Sequence, residues 1–273
     1  MGLFILIVQI AAVILAPDFE SAGIVAFENP ESVTNPIIYI IFILVFTLFL
    51  LFVMRREHKW MIKLVMYGAV FGTLFYVFIL PFSAVGALIS AFGLTLLIYI
   101  YPEWYVIDGV GLIIAAGATS IFGVSLAVIP VIVLLIILAI YDAISVYRTR
   151  HMVTLAEGVL DLKLPILFIL PRRRGFSFLK NTELKGGNAF IMGLGDAIIP
   201  SILVVSANFY LEEMPMIWIL NYPALGAIIG TIVGYVALST FVGKGKPHAG
   251  LPFLNTGAIL GFLVGLGSAL YLV

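Results

Sequence analysis

Three acids lie inside or at the edge of long apolar runs: Asp108, Asp142 and Asp196. An ionised side chain at the centre of a bilayer costs about 3 kcal/mol on insertion scales, so packing alone does not keep one there. Asp196 is preceded by two glycines, in Gly193-Leu194-Gly195-Asp196, and sits in an apolar run from about Asn188 to Asn208. Asp142 follows Tyr141 at the end of a second run that begins at Ile129 and stops at Arg148. At about 1.5 Å per helical residue, Asp142 lies ~9 Å below that basic stop, and Asp196 lies at most ~16 Å beyond Lys185. On antiparallel neighbouring helices the two acids reach comparable depth from the same side. Two carboxylates at close range do not both ionise cheaply and share one proton. Such a pair suits hydrolysis: the ionised member takes a proton from water while the protonated one polarises a carbonyl. Inside a bilayer the scissile bond is a peptide bond.

The surroundings of Asp196 agree. Gly193 and Gly195 carry no side chain, so another backbone can come close. Pro200 lacks the N–H that would bond the Asp196 carbonyl, and its ring opens that turn. Other chemistries are tested by their residues. There is no Cys, and no His-Glu-x-x-His run for a metalloprotease. A serine nucleophile needs a base beside it, and no His falls within an apolar run. No metal and no cofactor are expected. Two other readings stand beside hydrolysis. One is a proton-coupled transporter or ion channel built on intramembrane acids. The other is a structural bundle whose acids only join helices and whose glycines only allow close packing. Asp108, near Glu103, is divided between a functional acid and a solvated interfacial one.

These acids must be positioned by membrane spans. Of the 273 residues 63% are hydrophobic and only 10% are charged; soluble domains carry about 25% charge. The mean hydropathy is +1.23. With about 20 apolar residues per crossing, the pattern predicts an all-α membrane protein, a bundle of nine transmembrane helices in a single domain. Helices one to six occupy about 1–148, a loop about 149–186, and helices seven to nine about 187–273. The individual helices are expected near 2–16, 36–54, 61–81, 83–101, 105–124, 126–147, 188–208, 215–242 and 251–272. A cleaved signal is the alternative for 2–16, although that stretch lacks a basic start. All 14 Lys and Arg fall at Arg55–Lys63, Arg148–Lys185 and Lys244 with Lys246, and His58, His151 and His248 fall in the same places. The positive-inside rule makes those segments cytoplasmic. It follows that the N-terminus is cytoplasmic and the C-terminus extracellular. The dispersed bases are no nucleic-acid footprint. In the loop, the apolar stretch from Lys163 to Pro171 is too short to span and suits a strand or an interfacial segment.

Tyr141-Asp142 on one helix, with Gly193-Leu194-Gly195-Asp196 on the next, resembles the presenilin and signal peptide peptidase family of intramembrane aspartyl proteases. The compact size is similar to that of archaeal presenilin homologues. The resemblance implies nine transmembrane helices, with Asp142 and Asp196 as a catalytic dyad on the sixth and seventh. It also implies substrates that are transmembrane helices of membrane proteins or signal peptides. The family carries Pro-Ala-Leu before its last helix; here the matching place reads Ala249-Gly250-Leu251-Pro252, keeping the Leu and the following Pro. A literal Pro223-Ala224-Leu225 falls in the eighth helix and is read as chance. Tyr141, Gly193, Leu194, Gly195 and Ala249 to Pro252 are thus expected to support the site or bind substrate. Either Leu164–Leu170 or Ala249–Pro252 is expected to hold an unwound substrate by edge pairing. The oligomeric state is left open, a homo-oligomer included.

Overall fold

The computed structural model of the chain describes residues 1–55, 59–149, 167–172, 176–177, 189–242 and 249–272. Most of the expected loop 149–186, all three histidines, Lys244 and Lys246 lie outside the described residues. Nine helices occur among the described residues. They are α1 (Gly2–Ser21), α2 (Thr34–Arg55), α3 (Lys59–Phe78), α4 (Ala84–Ile100), α5 (Trp104–Ser125), α6 (Val128–Ile144), α7 (Leu194–Tyr210), α8 (Tyr222–Val242) and α9 (Leu251–Leu272). Seven are long and apolar enough to cross a membrane, while α4 and α7 are shorter apolar helices. α6 runs on through a π-helical turn, Ser145–Thr149.

Two short antiparallel ribbons interrupt the helices. β1 (Leu167–Pro171) pairs with β2 (Ala189–Gly193), and β3 (Met216–Ile217) with β4 (Leu220–Asn221). The strand expected in the apolar loop stretch is β1. β2 was read as the first turns of the seventh helix, and β3–β4 as the start of the eighth. An uninterrupted apolar run does not separate strand from helix by periodicity, and here pairing between distant segments decides.

Helix ends follow local chemistry. α1 passes through Pro17 and ends five residues later than expected, at Ser21. Gly23, at φ +67°, then closes it. The Ile24 N–H donates to the Phe19 carbonyl and the Gly23 N–H to that of Glu20, a Schellman arrangement that needs a residue tolerant of positive φ. Between α7 and α8, Asn221 donates to the carbonyls of Ala207 and Leu211, while its Oδ1 accepts the Ala224 N–H at 2.9 Å and caps α8. Pro223-Ala224-Leu225 therefore belongs to that capped turn. On the same side of the bundle the segment after α1 is stitched to the α5–α6 turn. The Ala26 N–H meets Ser125 Oγ at 2.6 Å, and the Ala127 N–H meets the Pro30 carbonyl at 2.9 Å.

α7 is the innermost helix. It touches α1, α5, α6, α8 and α9, and Ile202, Leu203, Val204 and Val205 are completely buried. α8 and α9 approach backbone to backbone. A Cβ added at Gly230 would lie 2.0 Å from the Gly257 carbonyl oxygen, and one at Gly261 would lie 2.1 Å from that of Gly226. Only glycine permits that spacing, and van der Waals contact then does what the hydrophobic effect cannot do within lipid. α9 is further tied to α6 by Asn255, whose Nδ2 donates to the Leu135 carbonyl at 2.8 Å. Between them these contacts set where the first turn of α9 falls.

Candidate active site

That first turn faces Asp142. Asp142 is 6% exposed. Its Oδ2 accepts the Leu251 N–H at 3.1 Å, and the Gly250 amide also bonds it. A helix begins with N–H groups that have no partner inside it. At α9 each is accounted for: Leu251 gives its N–H to Asp142, Pro252 has none, and Phe253 and Leu254 both donate to the Gly250 carbonyl at 3.2 Å. An acid at a helix N-terminus also meets the positive end of the helix dipole.

Asp196 comes to the same place from α7. Gly193 is the N-cap of that helix, and Asp196 stands in its first turn. The Gly193 amide hydrogen-bonds the Asp196 side chain, the reciprocal half of a capping box. Pro200 lies inside α7, so the Asp196 carbonyl lacks its helical donor, as expected. One turn on, Ser201 Oγ donates to the Ala197 carbonyl at 2.5 Å. The Asp196 carboxyl rests against Gly250: a Cβ added there would lie 3.2 Å from Oδ2 and 3.4 Å from Oδ1. The charges of Asp142 and Asp196 are near enough to act on each other. Gly250 thus touches both carboxylates, one through its amide and one across its bare α-carbon.

The other expected residues are distributed around this contact. Ala249 is buried, and its N–H meets Tyr147 Oη at 3.4 Å. Tyr141 is half-buried, and its carbonyl and that of Asp142 accept the Ser145 N–H. Leu194 is buried, its Cδ1 3.4 Å from where a Cβ on Gly111 would be. Gly193 and Gly195 differ from expectation in part: Gly193 faces Leu167 across the ribbon, and no backbone among the described residues packs against Gly195. A Cβ on Gly193 would meet only Asp196 itself, and one on Gly195 would meet only Ile199 Cδ1 at 3.9 Å. Gly195 is exposed, leaving open space beside Asp196. The close backbone comes instead from Gly250, on the other side.

Asp108 is not part of this cluster. It is 4% exposed rather than solvated, and it binds β1. Tyr147 and Asn255 were not singled out in the sequence. Asn255 had a signal, being an amide inside an apolar run one turn after Leu251; Tyr147, beside a basic stop, had none.

Membrane-crossing helices that bring a buried and a half-buried acid to one helix N-terminus form the architecture of an intramembrane aspartyl protease. Comparison agrees. Residues 1–269 match the family model described as signal-peptide peptidase, presenilin aspartyl protease. Two solved structures, each of a presenilin family intramembrane aspartate protease, are similar over nearly the whole chain. The one in space group C222 is 44% identical, covers 98% of both chains and has a TM-score of 0.73. The one in space group P2 is 45% identical, covers 98% of this chain and 97% of that one, and has a TM-score of 0.72. No curated protein matches at comparable stringency. The chain belongs to the signal-peptide peptidase and presenilin family of intramembrane aspartyl proteases.

Gly250→Val should reduce cleavage of a reconstituted substrate at least tenfold, whereas Gly250→Ala, which places there the residue of the family's Pro-Ala-Leu, should stay within a few-fold of wild type, both with thermal unfolding midpoints within a few degrees of it. A single methyl meets the Asp196 carboxylate at 3.2 Å, which a small shift of that side chain relieves, while the branched side chain of Val would displace the carboxylate and the amide held by Asp142. Rate assays and melting curves in the same detergent check both halves.

Proposed function

We propose that Asp142 and Asp196 are the catalytic dyad of this protease. The observation that carries the assignment is Gly250, whose backbone touches both carboxylates. The pair shares one proton. The ionised carboxylate takes a proton from a water molecule as the water oxygen bonds to the amide carbon. The protonated partner gives its proton to the carbonyl oxygen, and a tetrahedral diol forms. When the diol collapses, the C–N bond breaks, the protonated carboxyl gives its proton to the leaving nitrogen and the ionised one takes a proton from a diol hydroxyl as the C=O re-forms, so the dyad again holds one proton. Asp142 has two backbone donors and Asp196 has one, so the two acids are not equivalent.

Substrates are single transmembrane helices of membrane proteins or signal peptides. A helix uses up its own N–H and C=O groups, so the scissile stretch must unwind before attack. An unwound stretch in lipid needs new hydrogen bonds, and an open strand edge supplies them. The outer edge of β1 is closed near its middle: the Ile169 N–H is taken by Asp108, and Pro171 has no N–H. Ile169 faces Ile191 across the ribbon. With the Ile169 N–H turned outward, this is a non-hydrogen-bonded pair, so the Ile191 N–H and C=O also turn outward, on the far edge. That β2 edge, unpaired among the described residues, leads through Gly193 to Asp196 and is the one we assign to substrate. β1 then supports the ribbon, and Ala249–Pro252 closes the opposite side. The basic segments place the N-terminus in the cytoplasm and the C-terminus outside, with the β1–β2 ribbon at the cytoplasmic face.

Asp142→Ala and Asp196→Ala should each abolish cleavage of a transmembrane substrate in proteoliposomes while the proteins keep their wild-type helical circular dichroism. Wild-type cleavage by either one excludes the dyad. Ile191→Pro, which removes an outward N–H from β2, should lower kcat/KM about tenfold with both acids intact. An unchanged kcat/KM would refute strand addition and leave the dyad standing.

A further inference from the structure

Among the described residues, two buried acids remain that the hydrolysis does not use, both at the start of α5. Glu103 is the N-cap and Asp108 lies just over one turn further on; they are 6% and 4% exposed. Each holds the segment that contains β1. Asp108 Oδ1 accepts the Ile169 N–H at 2.8 Å, and Glu103 Oε1 accepts the Ser177 hydroxyl at 2.5 Å. The strand is seated around the first contact. Phe168 is completely buried, its ring centroid 5.1 Å from that of Phe4. Its edge lies 3.3 Å from where a Cβ on Gly111 would be, so a bare α-carbon makes room for the ring.

A carboxylate is an expensive tether at such a place. Asp108 Oδ2 is buried and has no hydrogen-bond partner among the described residues. A buried polar atom without a partner is destabilising, because the hydration it gives up is not replaced. What the tether gains lies at the far side of the ribbon. Ile169 faces Ile191, Leu167 faces Gly193, and Gly193 caps the helix whose first turn holds Asp196. A two-stranded ribbon is marginally stable alone. One that slips by a single residue turns every side chain to the other face. The bond to Ile169 fixes β1 at its middle residue, and through the pairing it fixes how far β2 stands from Asp196.

We infer that Asp108 is a positioning residue of the protease: it pins the β1–β2 ribbon to α5 and so sets which peptide bond of a paired substrate reaches the dyad. The inference rests on substrate pairing with the β2 edge. Asp108 makes no contact with the reacting atoms in this role. An amide oxygen serves as well as a carboxylate oxygen, because all that is needed is an acceptor for one backbone N–H.

The test uses the full chain in proteoliposomes with a single-span peptide, reading kcat, KM and the masses of the products. Asp108→Asn should cleave within about threefold of the wild-type rate and at the same bond. Asp108→Leu, of similar size but with no acceptor, should lose about tenfold or more in kcat with KM little changed, and its products should spread over neighbouring bonds. Amide exchange at Ile169 should be slow in wild type and the Asn variant and fast in the Leu variant. If the Leu variant does not fold, Asp108→Ser, whose side chain is too short to reach Ile169, makes the same comparison. Asp108→Asn as inactive as Asp196→Asn would overturn the inference, because the acid itself would then be required. Wild-type rate and cut in the Leu variant would overturn it too, as would slowing with an unmoved cut. Ile191→Pro reports separately on strand pairing, so its failure and that of Asp108 are told apart.

Discussion

A carboxylate within a bilayer must find its hydrogen-bond donors in the protein, because the lipid offers none. Asp142 finds them at the N-terminus of α9, the one part of that helix whose N–H groups are not already used. Asp196 finds one at the N-cap of its own helix. The two requirements meet at Gly250, a residue with no side chain to keep the second acid away. Much of the bundle serves to hold that meeting point. The glycine contact between α8 and α9 sets the lateral position of α9, and the Asn255 bond to Leu135 sets its height against α6. Tyr147 holds the residue before Gly250.

α7 answers a different constraint. It is among the shortest helices and the most enclosed, and strand β2 rather than further helix brings the chain to its start. Strand rises about 3.3 Å per residue where helix rises about 1.5 Å. Five residues of β2 therefore carry the chain about as far as eleven residues of helix would. Beginning α7 at Gly193 puts the acid in a first turn, where its side chain has an amide to bond and open space beside Gly195. A mid-helix position would have offered neither. The ribbon thus delivers the chain to Asp196, and its β2 edge is the one proposed above for substrate.

Much of this was legible in the residues. Hydropathy gave the helix number. The two acids stood out as costly groups in apolar runs, and the structure brings both to Gly250. Other features depended on pairing across the chain. Ala189 to Gly193 is as apolar as the helix after it, so only its partner at Leu167 to Pro171 makes it a strand. Asp108 looks like an interfacial acid until the Ile169 amide is found opposite it. Gly193 and Gly195 were read as admitting a neighbouring backbone. One became a helix cap and the other borders open space, while Gly250, in a segment that departs from the family's Pro-Ala-Leu, makes the close approach.

The central claim is that Asp142 and Asp196 act as one unit. The most direct measurement is the affinity of a peptide isostere whose hydroxyl mimics the tetrahedral diol, determined by titration against wild type, Asp142→Asn, Asp196→Asn and the double variant. Groups that act together are strongly non-additive, and transition-state mimics gain at least about a hundredfold over substrates. Each single variant is therefore expected to lose roughly a hundredfold in affinity, and the double variant little more than either. Wild-type affinity in one single variant, or losses that simply multiply, would contradict the account.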